Sequence, residues 1–261
     1  MRILVVGDIH GKPGRDILRT LLPRLRREHD VAFVIANGEN AAGGAGISPD
    51  VVAEIFAAGV DVITGGNHTW HNRDAYELLD AEPRVLRPHN YPAGVPGRGA
   101  TVAQTSTGQP VGVLNLQGRV FMAPLEDPFR AGRAEADRLR AQTPIIIVDF
   151  HAEATSEKIA LGWHLDGRVS ALIGTHTHVQ TADERVLPGG TAYLTDVGMT
   201  GPRDGVIGMA KEGILERFLT QLPVRFQVAK GPAQLSAAVI DVDEATGRAR
   251  GIARIQHVQD A

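Results

Sequence analysis

Leu172-Ile173-Gly174-Thr175-His176-Thr177-His178 decides the reading of this chain. The apolar run from Val169 to Ile173 predicts a short buried strand, and Gly174 is expected to end it. Two histidines, one residue apart, follow in the loop that leaves the strand. In an extended segment residues i and i+2 point to the same side, so His176 and His178 can lean into one pocket. Each can offer a neutral imidazole nitrogen to a metal. Taken alone, a pair of surface loop histidines would explain the pattern as well. The rest of the chain tips the balance, because the same design of apolar strand, abrupt end and polar tip recurs.

Ile3-Leu4-Val5-Val6 reads as a strand covered on both faces and ends in Gly7-Asp8-Ile9-His10, with Asp8 and His10 spaced i, i+2. A strand from Val31 to Ala36 runs into Asn37-Gly38-Glu39-Asn40, and one from Val60 to Thr64 into Gly65-Gly66-Asn67-His68. Ile145 to Val148 delivers Asp149-Phe150-His151-Ala152-Glu153. In open α/β sheets ligands bind outside the carboxyl ends of the strands, where all these polar groups fall. Asp8 by itself would be a turn or capping residue. No Lys-Ser/Thr pair follows Gly43-Gly44, so that loop is not a nucleotide P-loop.

Between the strands lie amphipathic helices. Ile17, Leu18, Leu21, Leu22 and Leu25 form the buried stripe of the first, with Pro23 expected to kink it. Ser48-Pro49 opens a second helix reaching about Ala58, and others span about Phe129 to Arg140 and Ser156 to Trp163. Thr101 to Thr105 and Val111 to Leu116 form an antiparallel pair. The Pro- and Gly-rich stretch from Pro83 to Gly99 is read as an irregular connection that could line the site. Asp196 to Pro202 could close over the site or serve structure alone. Strands are expected near Val224 to Val228, from Leu235 to Val242 and from Ala249 to His257. No repeat or linker divides the chain, so a single domain over residues 1–261 is expected.

Composition narrows the chemistry. With 43% hydrophobic and 22% charged residues the chain can bury a sizeable core. The net charge of −3 gives no global field toward nucleic acid or membrane, so neither partner is expected. The absence of cysteine removes disulfides, thiolate nucleophiles and Cys-ligated zinc, leaving oxygen and nitrogen ligands. Met1 to Gly7 reads as a strand rather than a signal peptide, and a cytoplasmic protein is expected. Two divalent ions held by only two carboxylates and a bridging hydroxide would keep about one positive charge, which attracts a phosphate ester. Such a pair can activate water for in-line displacement. His68, beside a ligand, is placed to protonate the leaving oxygen.

The order Asp-x-His, Gly-Glu-Asn, Gly-Asn-His, His and Gly-Thr-His-Thr-His resembles the calcineurin-like metallophosphoesterases. Within them, Gly38-Glu39-Asn40, His151 to Lys158, Gly174 to Val179 and Asp196 to Pro202 resemble the YmdB-like phosphodiesterases. The resemblance runs from Met1 to about Leu219 and implies a four-layer α/β/β/α sandwich of the metallophosphoesterase type. It implies two metals, Mn or Fe ahead of Zn, and a homo-oligomer. The implied activity is hydrolysis of small phosphodiesters, notably 2′,3′-cyclic nucleotides, by a metal-bridging hydroxide. Asp8, Glu39 and His178 match the first metal's ligands, with Asn40 beside them. Glu39, Asn67, His151 and His176 match the second metal's, and His68 matches the catalytic acid. His10 matches a ligand of the wider superfamily although this branch usually lacks it. His71 stands where the branch often has Asp, which leaves open what orients His68. A metal-bound regulatory or RNA-associated scaffold, and a phosphomonoesterase or 5′-nucleotidase, are the competing readings.

Overall fold

A computed structural model describes residues 1–259. The first half of the chain contains β1 (Arg2–Val6), β2 (Asp8–Ile9), α1 (Gly11–Glu28), β3 (Val31–Asn37), α2 (Pro49–Ala57), β4 (Val62–Thr64), α3 (Ala75–Ala81), β5 (Ala100–Gln104) and β6 (Pro110–Gln117). It continues with α4 (Pro128–Arg140), β7 (Ile146–His151), α5 (Thr155–Leu165), β8 (Ala171–Thr175), β9 (Arg185–Val186) and β10 (Ala192–Leu194). The last elements are β11 (Met199–Pro202), α6 (Lys211–Thr220), β12 (Ala233–Val242) and β13 (Ala249–Gln259).

Two sheets form. The first has the order β2-β11-β12-β1-β3-β4, with β13 paired to β12, and the second β5-β6-β7-β8-β10-β9. Side-chain alternation along the strands explains how they stack. Leu4 and Val6 of β1 face Ile17, Leu18 and Leu22 of α1, whereas Ile3 and Val5 face the second sheet. In that sheet Val113 and Ile147 meet Ile3, Val5, Phe33 and Ile35. Their neighbours Leu114, Val148 and Phe150 instead pack with Leu139 of α4 and Leu161 of α5. Three apolar cores thus separate four layers, helix, sheet, sheet, helix. Neither sheet has a wet face in its centre, which is why its strands read as continuous apolar runs.

The strands β1, β3 and β4 are mutually parallel, as are β6, β7, β8 and β10, so both sheets end their central strands along one edge. Several expectations change. β8 runs through Gly174 to Thr175, because a Cβ at Gly174 would lie 1.8 Å from the carbonyl oxygen of Thr195 and only glycine permits that approach. α1, by contrast, keeps Pro23 within a helix that runs from Gly11 to Glu28, as expected. Residues 224–228 make no strand beyond a single bridge from Val228 to Met209. Asp196 to Pro202 is structural: β11 pairs with both β2 and β12. Among the described residues no helix is long and apolar enough to cross a membrane.

Candidate metal centre

The strand ends bring Asp8, Glu39, Asn40, Asn67, His68, His151, His176 and His178 to one edge, and the tightest grouping is around His151. Its Nε2 lies 3.0 Å from Asn67 Oδ1, 3.0 Å from His176 Nδ1 and 3.2 Å from Glu39 Oε1. The hydroxyl of Thr175 donates to Asp149 Oδ1 at 2.7 Å, so it must accept from His151 Nδ1, 2.9 Å away. That fixes the hydrogen of neutral His151 on Nδ1 and leaves the Nε2 lone pair facing a carboxylate, an amide oxygen and a second imidazole. Such a cluster of lone pairs repels itself unless a cation lies among them. Ligand atoms around a divalent ion with bonds near 2.1 Å sit about 3 Å apart, which is the spacing seen. These residues fit a metal ion, and Glu39, His151 and His176 form a group with metal-ligand spacing. Gly66 is part of the fit: a Cβ there would lie 2.3 Å from Glu39 Oε2 and 2.4 Å from His151 Nε2.

Charge follows the geometry. Burial alone would lower the His151 pKa, but the charge and hydrogen bond of Glu39, with Asp8 and Asp149, outweigh it and push it up to about 9. Burial, then the charge on His151, lowers His176 to about 3. Burial works to raise Glu39, yet His151 and His68 hold it below the usual carboxylate range. Asp8 is raised, chiefly by burial. In the metal-free protein the proton on His151 therefore takes the place of a cation. Metal uptake at neutral pH should release about one proton per chain, since His176 is already neutral. The sign follows: affinity should rise with pH and level off once the pH passes the raised His151 value. Titration with Mn²⁺ in weakly buffered solution measures this, and uptake without proton release would refute the assignment.

The second grouping is more open. Asp8 Oδ1 is fully buried with no hydrogen-bond partner, 3.8 Å from His178 Nε2, and Asp8 Oδ2 accepts the His176 N–H at 3.2 Å. His178 Nδ1 donates to the carbonyl of Ile207 at 2.9 Å, leaving Nε2 turned to Asn40 Nδ2 at 3.2 Å. Glu39 joins the groups: Oε1 accepts from Asn40 Nδ2 at 3.0 Å and Oε2 from the His68 N–H at 2.8 Å. His176 and His178 both line the same cavity, but not by strand alternation. Their φ angles are +101° and +67°, so a left-handed loop rather than an extended one turns them inward.

His10 is 2% exposed, and neither ring nitrogen has a partner. Its ring stands edge-on to His178 with centroids 5.5 Å apart, and burial first, then His178, lowers its pKa to about 4. Two orphaned nitrogens on a buried neutral imidazole, beside the orphaned Asp8 Oδ1, are what a missing cation would leave. His10→Ala should weaken metal binding at the Asp8–His178 end on the order of 10–100-fold. A variant that holds metal as the parent does would reduce His10 to packing.

His68 Nδ1 lies 2.7 Å from Asn40 Oδ1 and 3.4 Å from Glu39 Oε1, so Asn40 and Glu39 orient its ring. His71 packs edge-on against it, centroids 4.8 Å apart. The cavity over the centre has a volume of about 310 Å³ and is walled by His10, Glu39, Asn40, His68, Glu153, Ile207 and Met209 among others. None of residues 83–99 lines it, contrary to expectation. Glu153, which the sequence places on the His151 strand tip without a role, has its Oε2 3.1 Å from His176 Nε2. Its position two residues beyond His151 was the available signal. Asp149 stood on the same tip without a role, whereas Thr175, which looks like an ordinary strand residue, and the Ile207–Met209 wall, which carries no motif, were missed.

Comparison with known proteins gives the family and supports the fold. The family model described as YmdB-like protein matches residues 4–255. The chain belongs to the YmdB-like family. This YmdB-like protein is 52% identical to the 2′,3′-cyclic-nucleotide 2′-phosphodiesterase of Bacillus subtilis, over 98% of its length and 96% of the relative's. A Thermus thermophilus structure of a hypothetical protein superposes with a TM-score of 0.90 at 43% identity, covering 100% of this chain and 99% of that one. A Mycoplasma pneumoniae phosphatase superposes with a TM-score of 0.93 at 34% identity, covering 100% and 94%. The four-layer metallophosphoesterase architecture is thereby borne out, and the YmdB-like protein is an enzyme of the hydrolase type.

Proposed function

We propose that the protein hydrolyses 2′,3′-cyclic nucleotides with two divalent metal ions, Mn or Fe ahead of Zn. The observation that carries this reading is the crowding of Asn67 Oδ1, His176 Nδ1 and Glu39 Oε1 around His151 Nε2, all within 3.2 Å. Glu39, Asn67, His151 and His176 would hold one ion. Asp8, His178 and Glu39, with Asn40 and His10 at hand, would hold the other. When bound, the ions supply Lewis acidity and lower the pKa of water. The likeness to the Bacillus enzyme supports the choice of substrate. A cavity of about 310 Å³ lies at the small end of the ~300–1,000 Å³ range of small-molecule sites, which favours a mononucleotide over a strand of RNA.

The protein's own groups then have distinct tasks. Water adds across the phosphorus–oxygen bond, and one ribose oxygen leaves with a proton. His68 supplies that proton: Asn40 Oδ1 and Glu39 hold Nδ1, and the 35% exposed side chain leaves Nε2 open to the cavity. Glu153 holds the outer nitrogen of His176, and Thr175 that of His151. Ile207 and Met209 cover the centre against bulk solvent.

The test is a substrate panel with Mn²⁺ supplied: 2′,3′- and 3′,5′-cyclic nucleotides, phosphomonoesters and bis-p-nitrophenyl phosphate. The 2′,3′-cyclic nucleotides should be hydrolysed fastest, and chelation should abolish the reaction. Faster release of phosphate from monoesters would select the 5′-nucleotidase reading instead. Activity untouched by chelation would refute the metal centre.

A further inference from the structure

Beneath the left-handed loop of His176 lies an ion pair with no part in the steps above. Lys158 of α5 and Asp196, in the turn between β10 and β11, are both fully buried, with Nζ and Oδ2 2.7 Å apart. Each also grips the loop. Lys158 Nζ donates to the carbonyl of Thr175 at 2.8 Å, and Asp196 Oδ2 accepts the N–H of Thr177 at 3.0 Å. The pair therefore holds the peptide groups on either side of His176, whose φ of +101° is one that a residue with a Cβ keeps only when its surroundings enforce it. Asp196 Oδ1 in turn accepts the Gly198 N–H at 2.8 Å, which ties the clamp to the turn that opens β11. Gly174 leaves room for it, since a Cβ there would come within 3.1 Å of Lys158 Cδ.

Stability is a poor reason for such a pair. Burying two charges costs desolvation that an apolar pair of similar size would avoid, and such replacements are often neutral or stabilising. What an apolar pair would not provide is the two bonds to the backbone. His178, by contrast, is set by its own bond to the carbonyl of Ile207 and does not depend on the clamp. We propose that Lys158 and Asp196 are positioning residues that aim the His176 imidazole at Glu39, Asn67 and His151, and so set the affinity of that one metal position. The inference rests on the metal reading of the centre given above.

The test compares Mn²⁺ binding by calorimetry, with thermal melting of the metal-free proteins, in the parent, the double variant Lys158→Met/Asp196→Leu, and Asp196→Asn. The double variant should melt within a few degrees of the parent, yet one of its two binding events should weaken on the order of 10–100-fold while the other holds. Asp196→Asn keeps an acceptor for Thr177 and should fall between. Unchanged affinity at both positions in a folded double variant would overturn the inference, and so would equal weakening of both. Should the double variant fail to fold, a folded Asp196→Asn with parental affinity at both positions would overturn it equally. A parent that binds no Mn²⁺ would sink the metal reading and this inference with it, whereas parental binding with unaffected variants sinks this inference alone.

Discussion

Glu39→Gln is expected to strip the centre of metal and to reduce hydrolysis by three orders of magnitude or more. Glu39 is 1% exposed, and its two oxygens meet Asn40 Nδ2, the His68 N–H and His151 Nε2. The amide that replaces it keeps the shape and loses the charge. One amide end must then place N–H donors where the centre calls for an acceptor, either against the His68 N–H or toward His151. The transition-state stabilisation supplied by bound metal is worth several kcal/mol, and each ~1.4 kcal/mol is tenfold in rate, so the loss amounts to roughly 10³-fold. The measurement is metal content by elemental analysis alongside turnover. A variant that retains both ions and most of its activity would show that Glu39 does not lie between them.

The same substitution tests the electrostatics. Without the Glu39 charge, the main influence that raises the His151 pKa is gone, and only Asp8 and Asp149 still oppose burial. The proton that metal displaces from the parent should then be held less tightly in the metal-free variant. NMR titration of the His151 ring would follow this directly, with its transition moved to lower pH.

The strand tips were legible because parallel strands buried on both faces read as unbroken apolar runs, so their polar ends stand out. Asp8, Glu39, Asn67 and His151 were placed at one edge by that contrast. The loop of His176 and His178 was placed rightly but for the wrong reason, since a left-handed backbone does not follow the alternation of a strand. Backbone of that kind is held by tertiary contacts, and those flanking His176 come from Lys158 and Asp196, 18 and 20 positions away in the chain and on separate elements. α3 and α6 escaped notice for different reasons. α3 is only seven residues long. α6 does carry an apolar stripe, Ile214, Leu215, Phe218 and Leu219, but it buries Ile214 alone, and the sequence reading passed over it. Nor could periodicity reveal that β12 returns from the far end of the chain to pair with β1.

His68→Ala should leave metal content nearly intact while lowering turnover by ~10²–10⁴-fold, the range typical of a lost general acid. The separation is expected because the His68 ring meets the His151 group only through Glu39 Oε1, 3.4 Å from its Nδ1. Its Nδ1 is engaged with Asn40 Oδ1 at 2.7 Å, and only its backbone N–H reaches Glu39 at under 3 Å. Alanine keeps that backbone bond. Burial lowers the His68 pKa and Glu39 partly restores it, so the free enzyme holds the ring mostly neutral at neutral pH. A phosphodiester anion arriving in the cavity acts in the same sense as Glu39 and favours the protonated ring. In the parent, kcat/KM should therefore fall as pH rises past the His68 value, and this limb should vanish in His68→Ala. A substrate whose leaving group needs no proton, such as bis-p-nitrophenyl phosphate, should lose far less than a 2′,3′-cyclic nucleotide. Loss of a metal ion from the variant, or equal losses on both substrates, would instead make His68 a ligand or a support for Glu39.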